Sequence, residues 1–368
     1  MGTHPNGPAL LYHNPNTSLK ALLATDPSYF LGSHTASKFS ITSQNEQASQ
    51  SPEIPFLFKV LSIGKVLPLQ AHPDKALAEK LNRKDGKNFV DANHKPEIAL
   101  ALGDFKGFVG FKPLEEIRTA ANGTPELSEA IGRDITLTDD HCLKDIMSAL
   151  LLQPQIRIKR LVQRLVERLK TESINDPISR LVLDVNAQYP GDVGVLITPY
   201  LMNLVTLAQG DAIYIGVDEA HAYLDGDIIE CMAISDNVVD AAFAPPVKRD
   251  TSTFIDMLKY SSRPAFAFRL YPQRYTGGML GHTTAYDPPL AEFTALRTKL
   301  DPLSDKEELL SPAKGPTIGI VVNGDVEIKV DEETETLQTG AVIFVVAEKA
   351  IWLRTTRFVE VFWATLIT

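Results

Sequence analysis

Cysteine is scarce in this chain: Cys142 and Cys231 are the only two among 368 residues. Two thiols cannot staple a small scaffold, and with no Cys-x-x-Cys pair a thiolate zinc site is excluded. Both read as small buried hydrophobes in a reducing compartment. Long apolar runs are also missing, so no segment reaches the roughly 20 residues that a membrane helix needs. The first residues, Met1-Gly2-Thr3-His4-Pro5, do not form a signal peptide. Positive charge is in deficit, with 36 Lys and Arg against 46 Asp and Glu and a net charge of -10. That balance argues against a general nucleic-acid binder and requires a local basic pocket for any anionic small ligand. No phosphate-binding glycine loop or dinucleotide fingerprint is present, and Ser62 and Ser235 lie in no nucleophile elbow. The expectation is a cytoplasmic protein with no membrane or nucleic-acid partner.

What is present is a globular composition, 44% hydrophobic and 22% charged, at a length that suggests two or three domains. Residues 1–50 are loop-rich, with a helix expected at Ser18–Leu23. Ile54–Ile63 and Val66–Ala71 read as strands joined by a turn at Gly64-Lys65. Asp74 is suited to cap a helix over Lys75–Leu81, and Glu97–Leu102 reads as a strand. From Leu114 to Leu183 the period becomes helical, and Leu161, Leu165 and Leu169 form a core stripe opposite a solvated charged face. Tyr189-Pro190-Gly191-Asp192 marks a boundary. Short strands are expected at Val193–Ile197, Asn203–Leu207, Ala212–Val217 and Ile228–Ile234, with turns at Gln209-Gly210-Asp211 and Asp225-Gly226-Asp227. A second β run follows at 318–363, turning at Asn323-Gly324-Asp325. The fold class is therefore mainly β, with two jelly rolls and a helical insertion in the first.

Two short blocks concentrate chemistry, Gln70-Ala71-His72-Pro73-Asp74 and Asn93-His94-Lys95-Pro96-Glu97. Gln70 and His72 sit two apart, so on a strand they share one face. Glu97 stands at the edge of an apolar strand, where a buried carboxylate needs a partner. His221, beside Asp218 and Glu219, arrives much later in the chain. Each has a plainer reading: a packed imidazole for His72, an exposed carboxylate for Glu97, a surface loop histidine for His221. Together, one amide oxygen, two imidazoles and one carboxylate suit zinc with open positions for water or substrate hydroxyls.

The blocks Ile54–Ile63, Leu69-Gln-Ala-His-Pro-Asp-Lys, Asn93-His-Lys-Pro-Glu, Tyr189-Pro-Gly-Asp, His221-Ala-Tyr-Leu-Asp-Gly-Asp, Glu230–Val239 and Tyr286-Asp-Pro-Pro resemble, in order, the type I phosphomannose isomerases. The resemblance spans essentially the whole chain. It implies two cupin-type domains and an α-helical domain, divided as 1–104 and 186–252 for the catalytic cupin, 105–185 for the insertion and 253–368 for the C-terminal cupin-like domain. It implies one Zn2+ per chain on Gln70, His72, Glu97 and His221. It also implies a monomer that interconverts mannose 6-phosphate and fructose 6-phosphate and feeds GDP-mannose synthesis. Lys95 and Glu230 fall at pocket positions and are candidates for charge stabilisation and proton transfer, each with a plain salt-bridge alternative. Tyr223 is expected to line the substrate pocket.

This chain departs from the family's pattern after Ser235-Asp-Asn-Val-Val. The family's active-site arginine falls on Asp240 and its lysine on Pro246, while Pro68 stands where many relatives have serine. Lys248, or Arg249 after it, is the candidate to supply the missing cation to a sugar phosphate. At roughly 5 Å and an effective dielectric of about 20, one unit-charge interaction is about 3 kcal/mol, so the reversal bears on phosphate recognition. Relatives extend further upstream, and incomplete strand burial is expected in the first barrel. Beside the isomerase stand two alternatives: a silent metal-binding paralogue and an isomerase of another sugar.

Overall fold

The structure is a computed structural model that describes residues 1–38, 53–132, 139–172 and 176–367. The loop-rich reading of residues 39–50 lies outside the described residues. Eight strands make the first sheet: Phe56–Ile63, Leu69–Ala71, Glu97–Ala101, Phe105–Phe111, Met202–Leu207, Ala212–Ile215, His221–Ala233 and Val239–Ala242. Their order follows from one long central strand. His221–Ala233 pairs with Phe105–Phe111 and Leu69–Ala71 along its first half, then with Phe56–Ile63 and Glu97–Ala101 along its second. It thereby curls the sheet around an interior.

Asp225-Gly226-Asp227 is not the expected turn but a bend inside this strand. Gly226 has φ 112°, and a Cβ there would lie 2.4 Å from the Asp104 carbonyl oxygen. The glycine allows Phe105 and its neighbours to approach closely while the strand changes partners. His221 consequently begins a strand and is fully buried, where a surface loop was the plainer reading.

Residues 97, 99 and 101 face the barrel interior with Ile213, Ile215, Tyr223 and Ile228. The opposite face, carrying Phe56, Phe58, Ile98, Leu100, Ile229 and Cys231, packs against Ile318, Ile320, Phe362 and Ala364 of the second β domain. Both faces of Glu97–Ala101 are covered, so all five residues are buried and no alternation is visible in the sequence. The second domain is a sandwich of a six-stranded and a four-stranded sheet around Trp363, Leu353 and Val359. Its Glu333–Gln338 strand, mostly exposed, escaped the hydrophobic pattern.

The helical insertion contributes Leu114–Gly123, Pro125–Ile131, His141–Leu151, Gln155–Thr171, Pro177–Gln188 and Gly194–Leu201. It begins after the Phe105–Phe111 strand, which belongs to the sheet, rather than at residue 105. The leucine stripe Leu161, Leu165 and Leu169 is buried, as its spacing predicts. The expected strand at Val193–Ile197 is instead the start of a helix, Gly194–Leu201. Every residue of that helix is buried, so its apolar run has no periodicity to separate helix from strand.

Glu126, 4% exposed, receives hydrogen bonds from Arg168 Nε and an Arg168 terminal nitrogen at 3.1 and 2.8 Å. Burial alone would raise the Glu126 carboxyl, but Arg168 outweighs it and holds the group below its usual range. The lowered pKa makes this contribution complete above the unfolded value near 4.5 and lost as pH falls below it. Glu126→Gln should cost about 1–2 kcal/mol at pH 7. In thermal melts the gap to wild type should close as pH drops below about 4.5.

Candidate metal centre

The Leu69–Ala71 strand sets Gln70 directly opposite His221 on one side and Asp240 on the other. Directly paired residues project to the same face, so all three look into the barrel mouth. His72 follows Gln70 by two positions, just before Asp74 caps the Lys75–Lys84 helix by accepting from Leu77 N–H at 2.7 Å. Glu97 opens its strand, paired with Ile215 and Met232. Ala99, two residues on, pairs with Glu230, which in turn pairs with Lys59. Strand register thus delivers Gln70, Glu97, His221, Tyr223 and Glu230 to one interior, and His72 joins them from just past the end of the Leu69–Ala71 strand.

The imidazoles are held in one tautomer by their backs. His72 Nδ1 lies 2.8 Å from the Asn237 carbonyl, and His221 Nδ1 lies 3.1 Å from the Glu219 carbonyl. A carbonyl only accepts, so each Nδ1 carries the proton and each Nε2 presents a lone pair. Those two Nε2 atoms are buried without a hydrogen-bond partner. They approach the Glu97 carboxylate at 3.2 Å from His72 and 3.7 Å from His221. The His72, Glu97 and His221 donor atoms all lie within 4.8 Å of one another. Three electron-rich atoms facing one buried point with no proton between them repel unless a cation joins them. The set of two imidazoles and a carboxylate, with the Gln70 amide beside it, fits zinc.

Electrostatics favours loading. Burial, helped by the nearby Lys95 charge, lowers the His72 pKa, and burial with His72 alongside takes His221 down to about 4. Both rings are therefore neutral and ready to ligate at neutral pH. Burial works against charge on Glu97, but a cation in contact with it, His72 when that ring is protonated and Lys95 in either case, keeps the carboxyl well below its usual range. Lys95 Nζ is 3.3 Å from the Glu97 carboxylate. Tyr223 hydroxyl donates to the other oxygen at 3.4 Å. Glu230 is pushed up to about 7 by burial and by Glu97, against the pull of Lys59 at 3.3 Å.

The basic end of the pocket is different. Asp240 Oδ1 is buried with no partner, and burial raises its carboxyl against the pull of Lys248, Arg249 and Lys95. Arg249 is committed elsewhere, donating to the Ala244 carbonyl at 2.8 Å and to Asp192 at 2.6 Å. Lys248 is exposed on the Pro246–Lys248 turn. Sequence reasoning missed Asn237, Glu219 and Lys59. The first two act through backbone carbonyls, which leave no side-chain signature, and Lys59 is visible only once strand register is known.

Zinc at about a hundredfold excess over its Kd should stabilise the protein by about 2.7 kcal/mol, and a chelator should reverse the gain. His221→Ala should bind no stoichiometric zinc by elemental analysis and show no zinc-dependent rise in Tm.

Residues 1–114, 123–202 and 285–333 match, respectively, the catalytic domain, helical insertion domain and C-terminal descriptions of phosphomannose isomerase type I. Mannose-6-phosphate isomerase of Candida albicans is 35% identical over 96% of this chain and 84% of its own length. That of Saccharomyces cerevisiae is 36% identical over 94% and 83%. A crystal structure of mannose 6-phosphate isomerase bound with zinc and yttrium superposes with a TM-score of 0.85 at 25% identity, covering 100% of this chain and 90% of that one. The apo form from Salmonella typhimurium superposes at 0.86 with 24% identity over the same shares.

Proposed function

This chain belongs to the type I phosphomannose isomerases, and we propose that it is a zinc-dependent enzyme interconverting mannose 6-phosphate and fructose 6-phosphate. The observation that carries the reading is the buried convergence of His72 Nε2, His221 Nε2 and Glu97 on one point. Gln70 completes the ligand set from the paired strand. One zinc per chain, a monomer, a cytoplasmic setting and a supply of precursor for GDP-mannose belong to the same proposal.

Zinc, when bound, supplies Lewis-acid stabilisation of negative charge on the sugar oxygens. The protein's own groups do the rest. An aldose becomes a ketose when one proton moves from C2 to C1 and the hydroxyl proton moves from O2 to O1, and one carboxylate on one face of the sugar can take and return the carbon-bound proton. Glu230 is that group in our reading. Its pKa near 7 is suited to taking and giving a proton, though a metal cation beside Glu97 would offset part of the upward push. Lys59 steadies it from the paired strand. Lys95, 11% exposed, adds a cation for charge developing on substrate oxygens while it balances Glu97. Tyr223, 1% exposed, walls the pocket between the two carboxylates.

A second reading rests on Asp240. A half-buried carboxylate beside Gln70, one of its oxygens buried without a partner, is an acceptor for sugar hydroxyls and a repellent for phosphate. It favours either a sugar without phosphate or slow turnover of the phosphorylated one, with Lys248 as the remaining cation that could swing inward.

Glu230→Gln should lower kcat by about 10²- to 10⁴-fold while zinc content stays at the wild-type level. Steady-state assays on mannose 6-phosphate and on free mannose separate the two substrate readings. Wild-type preference for the phosphate, lost in Lys248→Ala, supports the first. Preference for free mannose, reversed by about tenfold or more in Asp240→Arg, supports the second.

A further inference from the structure

The lone pairs of the metal centre depend on the backs of the imidazoles, and the back of His72 leads to a carboxylate outside the pocket. Its acceptor is the Asn237 carbonyl, in the turn that follows the long central strand. Asn237 is fully buried, and its side-chain amide donates to the backbone carbonyls of Asp91 and Asn93, both at 2.9 Å. The Asp91 carboxylate closes the ring. One oxygen accepts from Asn93 N–H at 2.9 Å and from the Ser235 hydroxyl at 2.8 Å, with the Asn237 amide at 3.1 Å. The other accepts from Asp236 N–H at 2.8 Å. Ser235 Oγ in turn accepts from Asn237 N–H at 3.1 Å. A parallel link runs from the Asn93 amide to the Ile234 carbonyl at 2.9 Å.

Asp91 therefore grips two segments at once. Residues 91–93 lead through Lys95 into Glu97, and residues 235–237 carry the carbonyl that holds His72. Both segments otherwise lack regular secondary structure, since Ile234–Val238 and Asp91–Pro96 belong to no strand or helix. Loops of this kind have no ladder to fix them to a few tenths of an ångström, and a carboxylate taking hydrogen bonds from both is the device that does.

We propose that Asp91 is a positioning residue of the metal centre, a clamp that sets His72 and Glu97 relative to one another and keeps the His72 proton on Nδ1. It rests on the zinc reading above and adds a residue that touches neither metal nor substrate. Asp91→Asn keeps the size but puts an N–H₂ where an acceptor faces a backbone or hydroxyl donor. Ser235→Ala removes the hydroxyl link with little change in volume, and serves where Asp91→Asn folds poorly.

Zinc affinity is measured by chelator competition on purified full-length protein, alongside the urea midpoint of the metal-free forms and the visible spectrum of the Co2+-substituted forms. The expected result is an about 10- to 100-fold loss of zinc affinity in Asp91→Asn and a smaller loss in Ser235→Ala. The cobalt bands should shift in both, while the metal-free urea midpoints move little. Wild-type zinc affinity and an unaltered cobalt spectrum in the variants, with wild type binding normally, would overturn the clamp and leave the zinc reading intact. Failure of the wild-type protein itself to bind zinc or cobalt would overturn the metal centre and the clamp together.

Discussion

Two imidazole nitrogens and a carboxylate face one another in a buried interior with no proton to share. That arrangement is repulsive on its own, and the surrounding protein is organised to hold it. Backbone carbonyls at Asn237 and Glu219 fix the rings from behind. The Glu219 carboxylate is in turn tied to Arg263, whose guanidinium lies 4.5 Å over the Phe268 ring. A site prearranged for a cation stores its cost in the rest of the fold, and here the store includes the Glu97–Ala101 strand, covered on both faces.

The second β domain takes part in that cover. Its Phe362, Ala364, Ile318 and Ile320 lie against the outer faces of the strands that bear Glu97 and Glu230. Polar contacts tie the two domains at the edges of this seam. Tyr286 hydroxyl donates to the Gly210 carbonyl at 2.7 Å, Gln209 reaches Glu360 at 3.1 Å, and His94 lies 2.7 Å from Glu292. His94 stands next to Lys95, so the pocket loop is anchored in the neighbouring domain as well as in its own.

Much of this was legible in the residues themselves. Gln70 lies on a strand as its setting suggests, although that strand ends at Ala71 and His72 follows it, Asp74 caps as its type suggests, and the leucine stripe of Gln155–Thr171 is core. What the sequence concealed shares a physical cause. Gly194–Leu201 is apolar on every side, so nothing distinguishes a buried helix from a buried strand. Asp225-Gly226-Asp227 has turn composition, yet long-range pairing on both sides keeps it extended. His221 falls beyond the apolar run Ala212–Val217 because its own strand begins with it. The Asp91 network consists largely of bonds to backbone groups, whose partners are set by tertiary proximity alone.

The strand His221–Ala233 carries a metal-facing imidazole at one end and the Glu230 carboxyl near the other. Its even and odd positions past the bend serve different compartments: Glu230 and Ile228 face the interior, Cys231 and Ile229 the seam between domains. Insertion or loss of one residue between 226 and 230 would exchange the two sets. A carboxylate would then enter the apolar seam against Phe362 while a thiol entered the pocket. Substitutions along this strand can be judged residue by residue, whereas its length admits no adjustment. Natural variation in the chain should therefore place its gaps in the exposed turns, such as Pro246–Lys248, and leave these thirteen positions uninterrupted.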